Sequence, residues 1–142
     1  VISHDGMRAK RASYQCKGGL VSLERKGKGY GVFKFKVLRS SRMNIWIGTR
    51  NDSPMRERWF SLFDGKKYDS SVDDWMPYSS LQISEGDVIG VQISDSRMTY
   101  TLNDMNLGVA FLDDQLKDPN MRICAYMLDP DDEIWVMGGK IR

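Results

Sequence analysis

Along residues 32–38 apolar and charged side chains take turns: Phe33, Phe35 and Val37 fall on one side, Lys34 and Lys36 on the other. A period of two marks a strand with one face on a core, because successive strand side chains point to opposite faces. Residues 44–49 repeat the pattern, with Ile45 and Ile47 opposed to Asn44, Trp46 and Gly48. Five further short runs, 88–93, 98–102, 107–112, 122–128 and 133–137, are rich in the Val, Ile, Tyr, Phe and Trp that strands favour. Turn-forming residues separate them at 26–31, 39–42, 95–97, 103–106 and 129–132. No window of a dozen residues shows a helical stripe. At least seven strands are therefore expected, in an all-β antiparallel sandwich or barrel.

The stretch 98–112 shows the logic at close range. Met98, Tyr100 and Leu102 alternate with Thr99 and Thr101, an Asn/Asp cluster supplies residues that tolerate left-handed backbone, and Leu107, Val109 and Phe111 resume the apolar face. This predicts a hairpin. With Glu85-Gly86-Asp87 launching the strand before it and Asp95-Ser96-Arg97 turning that strand back, three consecutive strands form a meander.

Composition adds the scale. A chain of 142 residues suits one domain with one core, here residues 1–142, and its apolar fraction of 41% and charged fraction of 28% are those of an ordinary globule. No apolar run approaches the roughly 20 residues of a membrane helix, and the opening VISHDGMRAKR has no signal-peptide pattern, so the expectation is a non-membrane segment of a larger protein, monomeric as an isolated domain. Two cysteines, Cys16 and Cys124, do not make a disulfide framework; reduced thiols and an intracellular setting are expected. Residues 1–60 hold 14 Lys and Arg against 4 Asp and Glu, while residues 61–142 hold 7 against 15. In a fold where early and late strands interleave, mutual neutralisation is the favoured outcome.

Candidate chemistry is sparse. His4 is the one histidine, so a serine or cysteine nucleophile would have to use it as base, and its SHDG context reads instead as a turn. Asp129, Asp131, Asp132 and Glu133 offer oxygens, but the glycine a calcium loop needs at its sixth position is Ile134; a solvated acidic turn is expected. One histidine and two distant cysteines make no zinc spacing. The glycines of 26–31 precede a strand rather than a helix, so they do not form a phosphate cradle. No catalytic residue, metal or cofactor is assigned. Nucleic acid is the alternative partner: Arg25, Lys26, Lys28, Lys34, Lys36, Arg39 and Arg42 cluster in sequence, yet aromatic stacking partners are missing from the Lys34/Lys36 face.

Several spaced elements together resemble the SPRY domain, the core of B30.2 modules. Gly86-Asp87-Val88-Ile89-Gly90-Val91, a short Asp-containing turn, Tyr100-Thr101-Leu102-Asn103 and Leu107-Gly108-Val109-Ala110-Phe111 are similar to its central signature. Ser3-His4-Asp5-Gly6 resembles its opening turn, YGVFKFKVL at 30–38 the strand after the glycine, Ile45-Trp46-Ile47-Gly48 its "IGV" strand, and Trp59-Phe60-Ser61-Leu62 with Asp64-Gly65-Lys66-Lys67-Tyr68 its tryptophan and Asp-Gly turn. The chain departs from the pattern at the hairpin tip, where Asn103-Asp104-Met105-Asn106 replaces Asn-Gly and predicts a longer turn, and in the charged loop 51–58.

The resemblance implies a concanavalin- or jelly-roll-like β-sandwich of two stacked sheets. It also implies a non-catalytic module that binds a protein or short peptide through loops at one end, often as the substrate-recognition part of a larger protein. Carried over by position, it points to Met43, Trp46 and Thr49 around the second strand and to Leu128 and Asp129 after the 122–128 strand. The residues themselves add Asp52, Met55, Arg56 and Arg58 from the charged loop, and Trp75 and Tyr78 from the segment 66–80, since aromatic and arginine side chains on loops are the usual anchors of interfaces. Trp59, Trp75 and Trp135 are also candidates to plug the two sheets together, with Trp46 turned outward. The alternative function is a nucleic-acid- or carbohydrate-binding sandwich.

Overall fold

A computed structural model describes residues 8–10, 19–22 and 31–137. These form twelve strands and one short 3-10 helix: β1 (Arg8–Lys10), β2 (Gly19–Ser22), β3 (Gly31–Arg39), β4 (Ile45–Asp52), β5 (Met55–Ser61), β6 (Lys66–Asp69), β7 (Asp74–Pro77), β8 (Val88–Ser94), β9 (Arg97–Leu102), β10 (Met105–Leu112), the helix η1 (Asp114–Lys117), β11 (Arg122–Met127) and β12 (Glu133–Val136). Two six-stranded sheets result, in the orders β1-β12-β3-β8-β9-β10 and β2-β11-β4-β5-β6-β7, with every pairing antiparallel. The expected all-β antiparallel sandwich is what the chain forms. His4, Cys16 and the SHDG turn lie outside the described residues.

The alternating runs become the inner faces. Phe35 and Val37 of β3 and Ile45 and Ile47 of β4 have no exposed surface, and Ile89, Val91, Met98, Tyr100, Ile134 and Val136 join them in one core. Each such side chain contributes roughly 1.5–3 kcal/mol by leaving water. Tyr100 binds across the core as well as filling it: its hydroxyl donates to the Ile47 carbonyl of the facing sheet at 2.7 Å.

The meander over β8, β9 and β10 is present with two differences. The hairpin tip is not lengthened: Asn103 and Asp104 alone make the turn, both left-handed at φ 50° and 68°, and Met105 already pairs with Leu102. Asparagine and aspartate tolerate that conformation, so a two-residue primed turn forms without glycine. Replacing Asp104 with glycine is expected to raise stability by about 0.5 kcal/mol in denaturant melts, because the relief of its positive φ exceeds the worth of its exposed ion pair with Lys34. Beyond the tip, register shifts on both sides of Val109 break the alternation. Val109 turns out to 45% exposure while Ala110 and Phe111 both point in.

On charge, ion pairs among the described residues join the two halves as neutralisation predicts. Lys34 pairs with Asp104 at 2.9 Å, Arg122 with Asp52 at 2.8 Å, and Lys36 sits over the Trp135 ring. Of these contacts Lys34–Asp104 joins the basic first half to the acidic second half, as Arg56–Asp69 and Arg58–Asp113 also do, and the face that would have offered Lys34 and Lys36 to phosphates is already engaged.

Candidate functional site

Strand direction decides which loops can act together. β4 runs away from the end that holds the 40–44 connection, so that end also gathers segments 62–65, 78–87, 103–104 and 128–132. The β4–β5 hairpin at Ser53-Pro54 lies at the opposite end, with residues 70–73, 95–96 and 113–121. An eight-residue strand separates the two ends by about 23 Å. The eleven candidate residues therefore do not form one site.

Those from the charged loop go to the far end, and two of the four, Arg56 and Arg58, are structural. β5 turns Arg56 and Arg58 inward, since Arg58 pairs in register with Thr49, itself fully buried. Arg58 has no exposed side chain. Its guanidinium donates to Asn51 Oδ1 at 3.0 Å, to Thr49 Oγ1 at 3.3 Å and to Asp113 Oδ2 at 2.6 Å, and Arg56 reaches the same Asp113 oxygen at 2.7 Å. Asp113 also caps η1 through the Gln115 N–H. Burial alone pushes the Asp113 carboxyl up, but hydrogen bonds from Arg58 and Gln115 and the charges of both arginines outweigh it and hold the group below the ordinary carboxylate value. Thr49, Arg56 and Arg58 are thus parts of a polar knot that ties the second sheet to the β10–η1 connection, not a contact surface. Asp52 stays exposed and ion-paired to Arg122, and Met55 is 54% exposed, both remote from the first end.

The remaining candidates converge. Trp46 and Trp75 lie on the outer face of the second sheet, with ring centroids 5.1 Å apart and planes tilted by 59°. Trp59, Tyr126 and Tyr68 extend this aromatic row. The tryptophans expected to plug the sheets together do not do so. Trp59 is buried in the outer row, and Trp135 is on the outer side of β12, where Ile134 and Val136 take the core positions. Trp46 faces outward as expected, half-buried by its neighbours.

Above the row, two depressions meet at the end of the sandwich. A pocket of about 310 Å3 is lined by Trp46, Trp75, Asn44, Asp64, Lys66 and Leu128, and a wider trough of about 920 Å3 by Met43, Arg42, Ile83, Glu85 and their neighbours. Asn44 and Phe63 belong to both. Phe63, 67% exposed, stands on the ridge between them. Sequence reasoning missed it, along with Arg42 and Glu85. Its signal was a break in parity, because three apolar residues in four at 60–63 precede the Asp64-Gly65 turn and a strand cannot bury all of them on one face.

The rim is held in shape by specific bonds. Met43 has a left-handed backbone at φ 54°, kept there by its N–H to Ser40 Oγ at 3.0 Å and by the Ile45 N–H to its carbonyl at 2.7 Å. A bulky residue in that conformation is costly and points to a position with a task. Asn44 Nδ2 donates to Asp129 Oδ2 at 3.1 Å, joining the 40–44 and 128–132 segments. The 128–132 turn is not simply solvated: Asp132 is buried and its carboxylate accepts the Asp129 N–H at 3.2 Å. Tyr78 belongs to the core margin, edge-on to Phe60 and Tyr100, with its hydroxyl donating to the Gly108 carbonyl. Burial pushes that phenol up to about 12, so it stays a donor at any physiological pH. Among the described residues no cluster of His, Cys, Asp and Glu could hold a metal ion.

No protein-family sequence model matches the chain, and no curated protein sequence matches it either. Its fold does match solved structures. The SPRY domain of human HERC1 superposes with a TM-score of 0.76 at 14% identity, over 100% of this chain and 94% of that one. A second human SPRY domain gives 0.74 at 15% identity, over 96% and 92%. The carbohydrate-binding module CBM66 from Bacillus subtilis follows at 0.59 and 6% identity, over 100% and 89%. With both SPRY domains covered almost end to end, and with the Gly86 to Phe111 segment on the β8-β9-β10 meander at one side of the first sheet, this chain has the SPRY-domain fold.

Proposed function

We propose that this chain is a non-catalytic recognition module that binds an extended segment of another protein along the rim, from the trough beside Met43 and Ile83, over Phe63, into the Trp46/Trp75 pocket. The observation that carries this reading is the exposed Phe63 at the junction of two depressions. An aromatic side chain left in water contributes little to folding because it buries little surface within the molecule, so its apolar area stays available to a partner, and aromatic anchors dominate binding energies. SPRY domains in general serve as protein-interaction modules, which agrees. The intracellular setting expected from the cysteines is part of the proposal.

Of the two alternatives, nucleic acid loses support because Lys34 and Lys36 are engaged within the molecule. Phage display of random peptides on the wild-type chain, with binding of the selected peptides compared in Phe63→Ala, tests the proposal. The variant is expected to bind about 10- to 100-fold more weakly, with a melting temperature within about 2 °C of wild type, since exposed positions seldom shift stability. Peptides that bind Phe63→Ala as well as wild type would place the contact elsewhere.

A further inference from the structure

Building on that reading, we infer that the Trp46/Trp75 pocket accepts a cationic side chain of the partner peptide, arginine above all, with Asp64 as its counter-ion. Three kinds of observation meet there. The pocket, about 310 Å3, is large enough for a guanidinium and its methylene stem, and three aromatic side chains, Trp46, Trp75 and Phe63, line it. The two indoles meet at 59° rather than stacking flat, so aromatic surface stays available within the roughly 6 Å over which a cation is attracted to a ring. The molecule already uses this contact, holding Lys36 over the Trp135 ring at 6.0 Å.

The carboxylate supplies direction. Asp64 is exposed and in the pocket wall, and its Oδ1 accepts the Lys66 N–H at 3.1 Å, a bond that fixes the side chain while leaving acceptor capacity on both oxygens. Around it the rim is acidic: segments 40–44, 62–65, 78–87, 103–104 and 128–132 carry Arg42 as their one basic residue and seven Asp or Glu, of which Asp132 is buried and Asp104 is paired to Lys34. Such a rim draws basic segments and repels acidic ones. Arginine suits the site better than lysine because its planar group lies on aromatic faces and meets a carboxylate with two donors at once. Lys66, also in the wall, opposes a cation, and this gives the inference a signature in the direction of gain.

The test titrates the chain with N-acetyl-arginine methylamide and with its uncharged isostere N-acetyl-citrulline methylamide, following the indole N–H resonances of Trp46 and Trp75. The arginine probe is expected to shift both and to bind at least about ten-fold more tightly than citrulline. Asp64→Asn should weaken the arginine probe about five- to ten-fold, and Lys66→Met should strengthen it about three-fold; both positions are exposed, so folding is not at stake. Equal response to the two probes, loss of affinity in Lys66→Met, or indole shifts caused by methyl glycosides in place of the arginine probe would overturn the inference. If displayed peptides depend on Phe63 but carry no basic residue, this inference fails and the rim reading stands; if no displayed peptide depends on Phe63, the rim reading fails while the probe titration still judges the pocket.

Discussion

Replacing Asp113 with alanine is expected to lower the stability of the folded chain by about 3–5 kcal/mol. The reason lies in what remains. Arg58 has no exposed side chain and cannot turn to water; without Asp113 its cation is stranded between the sheets with the neutral partners Asn51 and Thr49. Arg56 loses its 2.7 Å contact at the same time, and η1 loses its cap. At roughly 2–4 °C per kcal/mol for a domain of this size, the melting temperature falls by about 10 °C. Removing both charges in Arg58→Met with Asp113→Leu should cost less than removing Asp113 alone, since an apolar pair of similar volume leaves no buried ion unpaired. Acid provides an independent check. Because the folded Asp113 carboxyl lies below its ordinary value, the stabilisation is complete above about pH 4 and fades as pH falls through the folded value. The gap between wild type and Asp113→Asn in denaturant melts should therefore be widest near neutrality and narrow in strong acid; a gap independent of pH would mean that the carboxylate charge is not what holds the knot.

That knot also explains where sequence reading succeeded and where it stopped. Strands whose inner positions are apolar were legible almost to the residue: 32–38 against Gly31–Arg39, 88–93 against Val88–Ser94, 133–137 against Glu133–Val136. β5 was not, because its parity is inverted. Arg56 and Arg58 take inward positions while Trp59 faces out, so a pattern that equates apolar with inside reads it as a charged loop. Only the tertiary partner, Asp113, 55 residues away from Arg58, makes that arrangement tolerable, and no local window contains it. β6 and β7 failed for another reason: the edge strand β7 and its neighbour β6 are short, with half-buried or exposed side chains and little apolar alternation to detect.

The site was legible to a similar depth. Trp46 could be turned outward from parity alone, and Leu128 does line the pocket beside it, while Asp129 is tied to that pocket through Asn44, a residue the sequence reading did not single out. Grouping the 51–58 loop with them ignored that a strand carries the chain from one end of a sandwich to the other. Counting reversals from β4 would have placed the Asp64-Gly65 turn, not Ser53-Pro54, beside Trp46.

Gly65 is where fold and site depend on one atom. Its backbone is left-handed at φ 71°, and a Cβ there would lie 1.9 Å from the Ser79 carbonyl oxygen, a backbone atom with no freedom to swing aside. The close approach has a purpose: the Gly65 carbonyl accepts the N–H groups of Tyr78 and Ser79 at 3.2 and 2.9 Å, while its own N–H donates to Ser61. Segment 62–65 is thereby fastened to 78–79, which sets the position of Phe63 and Asp64 relative to the trough. Gly65→Ala is expected to cost about 2–4 kcal/mol, combining the left-handed penalty with the displacement of one segment from the other. It should also weaken any Phe63-dependent peptide more than about ten-fold even at temperatures where the variant is fully folded. Gly86→Ala is the control, since Gly86 is also left-handed, at φ 89°, but a Cβ there would meet nothing within 4 Å: it should lose only the conformational part, about 1 kcal/mol, and keep its peptide affinity. If both variants lose stability equally, the contact with Ser79 is not what orders the rim; if Gly65→Ala alone loses binding, the rigidity of that junction is what the partner reads.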